Sequence, residues 1–318
     1  MYRQPVNAQA VDVGWQQLAA TSSLMIKNME TDLAFFEANG YLVIPGAIKS
    51  DLADCIRFEL QHIDQNQHKI GLLRRHLVVA GSNNASDPKF RFKDLYVNSK
   101  SVREAVFADV IVNTLLQLAH APLLAFQNLG FIRGSGLRIH RDSNYIAMQG
   151  LNANFYGCWI ALEDVEEGAG ELSFFPQSHL LPHYLFADNS THWVVSRDGI
   201  YANEACHGWL ENQMASHGIQ PEKFLARKGD CLIWHGDLVH AGNPILKPDR
   251  TRYSLVTHFC DAQSKPRYLQ NSNSAQWVTV NERCCFSSAH YDLHAICTVE
   301  QLEGTTIRPR LPGSMKPS

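Results

Sequence analysis

Two textures divide the chain. From Glu30 the apolar positions fall at helical spacing: Leu33, Phe35 and Phe36 lie within Glu30 to Ala38, and Asn39-Gly40 supplies a helix stop. YLVIP at Tyr41 to Pro45 reads as a short strand bounded by Gly46. Asp51 to Asp64 sets Leu52, Cys55, Ile56, Leu60 and Ile63 on one helical face, with Ser50 as N-cap. A further helix is predicted over Ser101 to Leu118. Beyond it come short apolar runs broken by Gly, Pro, Asn and Asp. The predicted strands are Leu124 to Phe131, Leu137 to Asp142, Phe155 to Leu162, Glu171 to Phe175, Cys231 to Trp234 and Tyr253 to Phe259. Many short strands with frequent turn signals predict a barrel or sandwich, mainly β with flanking α-helices. Between Ser178 and Arg227 the pattern has no clean period, and the stretch reads as a long loop of the kind that serves as a lid or binding segment. The expected organisation is an N-terminal extension over 1–29, one domain over 30–262 with the insertion 178–227, and a C-terminal segment over 263–318 packing on the core.

Composition narrows the class. Hydrophobic residues at 45% and charged residues at 19% of 318 suit a globular chain with a sizeable core. A net charge of −3 gives none of the basic footprint that nucleic acid or an anionic membrane demands, so neither is an expected partner. The eight cysteines form no C-x-x-C pair, which disfavours a structural zinc site and predicts reduced thiols. The opening residues carry no apolar core of a leader peptide, and no run approaches the ~20 apolar residues of a membrane span. The expectation is a cytoplasmic protein acting on a small molecule.

The chemistry concentrates in two places. His140-Arg141-Asp142 places an imidazole and a carboxylate two residues apart, on one face if the segment is a strand end, with Arg141 turned away. A second imidazole must come from elsewhere, and WHGDLVHAGNP offers His235 and His240. His240 is preferred because Ala241-Gly242 lets the backbone approach closely. Two histidines and one carboxylate form a facial iron(II) set with open positions for a co-substrate and O2. Arg252 and Ser254 share a strand face in RTRYSLVTHF, and a guanidinium grips a carboxylate bidentately. The plainer alternatives are a hydrogen-bonded core histidine at His140, a turn-capping Asp142, and a surface ion pair for Arg252.

Several ordered motifs resemble the phytanoyl-CoA dioxygenase family of Fe(II)/2-oxoglutarate oxygenases, over roughly residues 30 to 262. They are FFEANGYLVIPGAI, FQNLGFIRGSGLRIHRDSNY, WIALEDVEEGAGELSFFPQSH, GDCLIWHGDLVHAGNPI and RYSLVTHF. The resemblance implies a double-stranded β-helix core, jelly-roll or cupin-like. It implies His140, Asp142 and His240 as iron ligands, and Arg252 with Ser254 holding the distal carboxylate of 2-oxoglutarate. Gln127 and Trp159 match positions that line the co-substrate pocket in similar enzymes. Arg141 stands where glutamine is common, and Gly134-Ser135-Gly136 replaces a proline-rich turn. These departures count against an acyl-CoA substrate.

Such a centre supplies oxidative decarboxylation of 2-oxoglutarate and attack on an unactivated C–H bond. Halogenating relatives lack the carboxylate, so Asp142 argues for hydroxylation. Desaturation, ring closure or acyl-CoA hydroxylation would use the same residues. A zinc-dependent cupin-like hydrolase, or a silent barrel that only binds, remain as rivals from other classes. Arg138, Arg141, Asn144 and His235 are the candidate substrate contacts. Asn152, Asn154, His192, Trp193, His207 and Trp209 add to an expected small, polar metabolite.

Overall fold

The structure is a computed structural model that describes residues 31–65, 78–80, 87–149, 154–270, 276–294, 296–303, 305, 307 and 309. The extension 1–29, Asn152 and the tail from Arg308, Pro309 apart, lie outside these residues. Helix α1 (31–39) ends at Asn39-Gly40, where Gly40 takes φ +80°. Strand β1 (Tyr41–Ile44) and helix α2 (Ser50–Gln65) follow, and short strands β2 (Val78–Ala80) and β3 (Arg91–Lys93) come next.

The single helix expected over Ser101 to Leu118 is two, α3 (Lys100–Val106) and α4 (Asp109–Ala119). The Ser99 hydroxyl caps α3 by accepting from Val102 N–H at 3.1 Å. Ala108 is extended at the junction, and the Phe107 ring packs on Phe259 and Phe286. Helix propensity gives no warning of this break, because tertiary packing imposes it. Each piece then buries its own stripe, Val102, Ala105 and Val106 in one and Ile111, Val112 and Leu115 in the other.

The core is two facing sheets. Strands β4 (Leu123–Phe131), β5 (Phe155–Ala161), β8 (Cys231–His235) and β10 (Ser254–Asp261) make the centre of the major one, in the order β1-β8-β5-β10-β4. Strands β6 (Leu172–Phe174), β7 (Glu222–Phe224) and β9 (His240–Gly242) make the minor one, in the order β7-β6-β9. After residue 262 the chain returns to add β11 (Val278–Asn281) and β12 (Cys284–Phe286) beside β4, so this segment extends the major sheet.

β5 is buried at every position because both of its faces are covered. Its outward Tyr156, Cys158 and Ile160 join the helix-facing core, and its inward Trp159 and Ala161 meet Leu232, Trp234, Leu172 and Phe174 between the sheets. Opposite His258 of β10, strand β4 carries one extra residue, a bulge at Phe126.

The 178–227 stretch is not a loop. It contains a helix, α5 (Ile200–Ser216), bounded by Gly199 and by His217-Gly218. Ala202, Cys206, Leu210 and Met214 stand four apart and pack with Phe186 on Ile139 and Val239. Tyr201, 81% exposed, and Ile200, 61% exposed, lie off that stripe, and their apolar character blurs the period in the sequence.

Two glycines give opposite predictions. A Cβ on Gly157 would strike the Trp234 indole. Gly157→Ala is therefore expected to lower stability by about 1–3 kcal/mol, read as an earlier denaturation midpoint at constant m-value. Gly208 lies inside α5 with open space around it. Gly208→Ala should raise stability by roughly 0.5–1 kcal/mol, read as a later midpoint.

Candidate metal centre

The expected strand Leu137 to Asp142 shrinks to one antiparallel bridge. His140 N–H donates to His240 O at 2.9 Å and His240 N–H to His140 O at 3.0 Å. Arg141 stays extended, with φ −109° and ψ 142°, before a tight turn over Asp142–Asn144. That one extended residue preserves the period-two geometry, so His140 and Asp142 face the same side and Arg141 the other. The pairing with β9 sets His240 against them. Ligand atoms of His140, Asp142 and His240, all buried, lie within 4.8 Å of one another.

The tautomers suit a metal. His140 Nδ1 lies 2.7 Å from Arg138 O, and His240 Nδ1 lies 3.0 Å from Leu238 O. A carbonyl only accepts, so each Nδ1 donates to it and each Nε2 is the ring nitrogen left to face a metal. Those Nε2 atoms stand 3.8 and 3.7 Å from Asp142 Oδ1. The other carboxylate oxygen, Oδ2, accepts from Trp234 Nε1 at 2.8 Å and from His258 Nε2 at 3.2 Å. One oxygen is thus fixed by protein donors and the other is left to the two imidazoles.

Burial alone pushes the Asp142 carboxyl up, but His240, His258 with its hydrogen bond, and His140 outweigh it and hold the group well below the usual carboxylate range. Burial, then the neighbouring His240, draws His140 down to about 3. Two imidazoles and one carboxylate are the donor set of a non-haem iron(II) site.

Deeper between the sheets lies Arg252, 2% exposed, its guanidinium 5.8 Å from the Trp159 ring and 5.9 Å from the Phe131 ring. Nη1 donates to Gly170 O at 2.7 Å, whereas Nε has no partner, nor does Trp159 Nε1. Burial lowers the Arg252 pKa to about 10 against the pull of Glu171. The Glu171 carboxylate is itself engaged by Gly168 N–H and Asn243 Nδ2. Two buried donors without acceptors, one of them cationic, suit an incoming carboxylate. Ser254 Oγ donates to Arg252 O at 3.4 Å, and Gln127 stands opposite His258 in register.

The remaining sequence candidates fall at the edge of the site. Arg141, 1% exposed, spends its guanidinium on the carbonyls of Pro182, Ser178 and Leu181. Asn144 donates to Thr191 O, and Arg138 pairs with Glu204 and Glu211. These three tie the insertion to the metal-bearing segment. His235, the alternative third ligand, points to the outer side and accepts from Asp237 N–H at 3.1 Å. Trp193 Nε1 donates to Gly199 O, and His207 meets the Tyr145 hydroxyl.

Three residues near the site escaped the sequence reading. His258 shares the parity of Arg252 and Ser254, and Trp234 that of Leu232; that parity was the available signal. Lys93 pairs with Leu129 in register, so it faces the same interior, and burial lowers its pKa.

A facing pair of sheets with this triad defines an oxygenase of the iron/2-oxoglutarate superfamily. Residues 36–252 match the family described as phytanoyl-CoA dioxygenase (PhyH), and the chain belongs to it. Among solved structures, the epimerase SnoN in complex with Fe3+, alpha ketoglutarate and nogalamycin RO has a TM-score of 0.56 at 22% identity, covering 76% of this chain and 86% of that one. Apo EctD from S. alaskensis gives 0.53 at 14% identity, over 74% and 78%. The apo non-heme monooxygenase ThoJ gives 0.52 at 19%, over 81% and 87%. At these identities the likeness is one of fold. No curated protein matches the sequence. No helix among the described residues is long and apolar enough to cross a membrane.

Because Trp234 and His258 share one carboxylate oxygen, Trp234→Phe or His258→Ala should weaken iron(II) affinity about 10–100-fold, measured by competition with a chelator. Metal-free protein should also be acid-sensitive. His140 falls from 6.5 unfolded to about 3 folded, so the unfolded chain holds the extra proton between those values. Stability is then whole above pH ~6.5 and declines by up to about 1.4 kcal/mol per pH unit from this group as pH falls toward ~3. Denaturant midpoints across pH check this, and His140→Gln should flatten part of the slope.

Proposed function

We propose that this chain hydroxylates an unactivated C–H bond of a small polar metabolite, with His140, Asp142 and His240 holding iron(II) and Arg252 receiving 2-oxoglutarate. The observation that carries this is the pairing of two sites: a triad with both Nε2 atoms 3.7–3.8 Å from Asp142 Oδ1, and a buried guanidinium with an unpartnered Nε. Iron with 2-oxoglutarate and O2 supplies an oxidant strong enough for such a bond.

The protein's own contribution is binding, orientation and exclusion of water. Hydrogen bonds from Nδ1 to Arg138 O and Leu238 O fix both imidazole planes. Trp234 and His258 keep Asp142 ionised and limit it to one free oxygen. Arg252 carries the charge that complements the far carboxylate of 2-oxoglutarate, with Trp159 Nε1 beside it as a further donor and Lys93 on the same interior face. Ser254 and Gln127 line that face. Phe131, Val256 and Leu232 surround these polar groups with apolar surface, which strengthens each interaction by lowering the local dielectric.

Anaerobic titration with iron(II) and 2-oxoglutarate tests the reading. A weak visible charge-transfer band should appear in the native protein and vanish in Asp142→Ala. Arg252→Ala should raise the apparent Kd for 2-oxoglutarate at least tenfold, since truncating one partner of a buried charge pair costs on the order of 2 kcal/mol or more. Absence of the band in the native protein overturns the assignment.

A further inference from the structure

The first residues of the insertion meet the barrel rim through a knot of ionisable groups that the metal centre does not use. His179 and His183 come from the insertion, His235 and Asp237 from the end of β8 and the turn after it. The His179 and His235 rings lie 5.6 Å apart, centroid to centroid. His183 Nε2 stands 3.6 Å from Asp237 Oδ2, and His235 Nδ1 stands 3.8 Å from the same oxygen. Three imidazoles thus gather around one carboxylate. The Arg141 guanidinium adds a fixed positive charge, because it grips the carbonyls of Ser178, Leu181 and Pro182 in the same stretch.

The two insertion histidines are seated in a way that leaves no place for a second proton. His179 Nε2 lies 3.0 Å from Glu37 O in the last turn of α1, and a carbonyl only accepts, so this nitrogen is the donor. The other nitrogen, Nδ1, packs against Gly40, where a Cβ would strike the ring. His179 Nδ1 and His183 Nδ1 are both shut off from water and have no hydrogen-bond partner. An imidazolium donates from both nitrogens. Charging either ring in place would therefore bury an N–H with no acceptor, which folded proteins rarely tolerate. Burial above all holds His179, His183 and His235 below the usual imidazole pKa, with the Arg141 charge adding to it and Asp237 opposing it.

The other ionisable groups facing the cluster do not relieve it. Glu37 and His120 line a cavity beside His179 and His235. His192 and Arg267 line the cavity that His183, His235 and Asp237 share. Tyr156 stands edge-on to the His235 ring at 6.4 Å. Of these only Glu37 carries negative charge, and it is exposed, so water screens it. Acid would thus set up to three new positive charges beside Arg141 with Asp237 alone to offset them.

We infer that docking of the insertion is proton-controlled: its root sits on the barrel rim while His179, His183 and His235 are neutral, and lifts from it when they gain protons. The direction follows from linkage. A released histidine titrates near ~6.5 and a docked one lower, so docking is whole above pH ~6.5 and weakens as pH falls. The effect reaches the metal centre through α5. The Tyr145 hydroxyl donates to Asn203 Oδ1 and meets His207 Nε2 on that helix, and the Tyr145 ring packs on His140 at 5.6 Å. None of the three switching histidines belongs to the triad, so the device stands apart from the oxygenase reading.

Hydrogen exchange of the full chain, read by mass spectrometry and corrected for the intrinsic rate at each pH, tests this. Each released histidine contributes up to about tenfold per pH unit, so peptides covering 175–190 should lose at least about tenfold in protection between pH ~7.5 and ~5.5. Peptides from β5 and β10 should keep theirs. Saturating iron(II), added anaerobically, should leave the response of the root in place. His179→Gln with His183→Gln retains a donor for Glu37 O and cannot be charged, so it should keep native protection at the higher pH and lose most of the response. Asp237→Asn removes the offsetting carboxylate and should move release to higher pH. Equal protection of the root at both pH values, or a loss shared by β5 and β10, overturns the inference. A response that iron(II) abolishes belongs to His140 and overturns it too. So does a full response in the double variant, or an unmoved release in Asp237→Asn, which decides the matter should the double variant fail to fold.

Discussion

Asp142 is a carboxylate withdrawn from water and kept ionised by two donors on one of its oxygens, the Trp234 indole and the His258 imidazole. Much of the molecule follows from that arrangement. The donors stand on β8 and β10, central strands of the major sheet, while the carboxylate belongs to a turn at the edge of the minor one. The two sheets are therefore joined at the site by a polar link as well as by the apolar cluster between them. A buried charge is tolerated only when its partners are placed by rigid structure. Gly157 shows how tightly this is done, because any side chain there would occupy the space of the Trp234 ring. The bulge at Phe126 lies opposite His258, and the Phe126 ring stacks on that imidazole at 5.9 Å.

Much of the fold and most of the metal-binding set were legible in the sequence. Short apolar runs bounded by turn residues placed the main strands within a residue or two, because sheets covered on both faces impose near-continuous apolar runs. The triad was legible because its spacing, H-x-D with a later histidine and arginine, survives any detail of the backbone. The strand expected around it did not form beyond one bridge. Even so, the one extended residue, Arg141, was enough to keep the parity on which the argument stood.

What escaped was set by tertiary contact. The break between α3 and α4 comes from the packing of Phe107, which no local propensity encodes. Helix α5 was hidden because its buried stripe uses Ala, Cys, Leu and Met while Ile200 and Tyr201 sit outside it, so average hydrophobicity carries almost no period. Trp234 and His258 look like ordinary strand residues until the register brings both to one carboxylate oxygen. Polar residues near the motif were equally ambiguous in the other direction: Arg141 and Asn144 bind backbone of the insertion.

The grip of Arg141 has a consequence for how this protein can change over time. Its guanidinium holds three main-chain carbonyls, at Ser178, Leu181 and Pro182, and a carbonyl is the same whatever side chain follows it. The root of the insertion is thus anchored by a bond indifferent to residue type, one position away from both His140 and Asp142. Replacement of side chains further along can retune what the rim recognises while the anchorage persists. Shortening the root cannot, because the carbonyls would leave the fork and strand a cation in the interior.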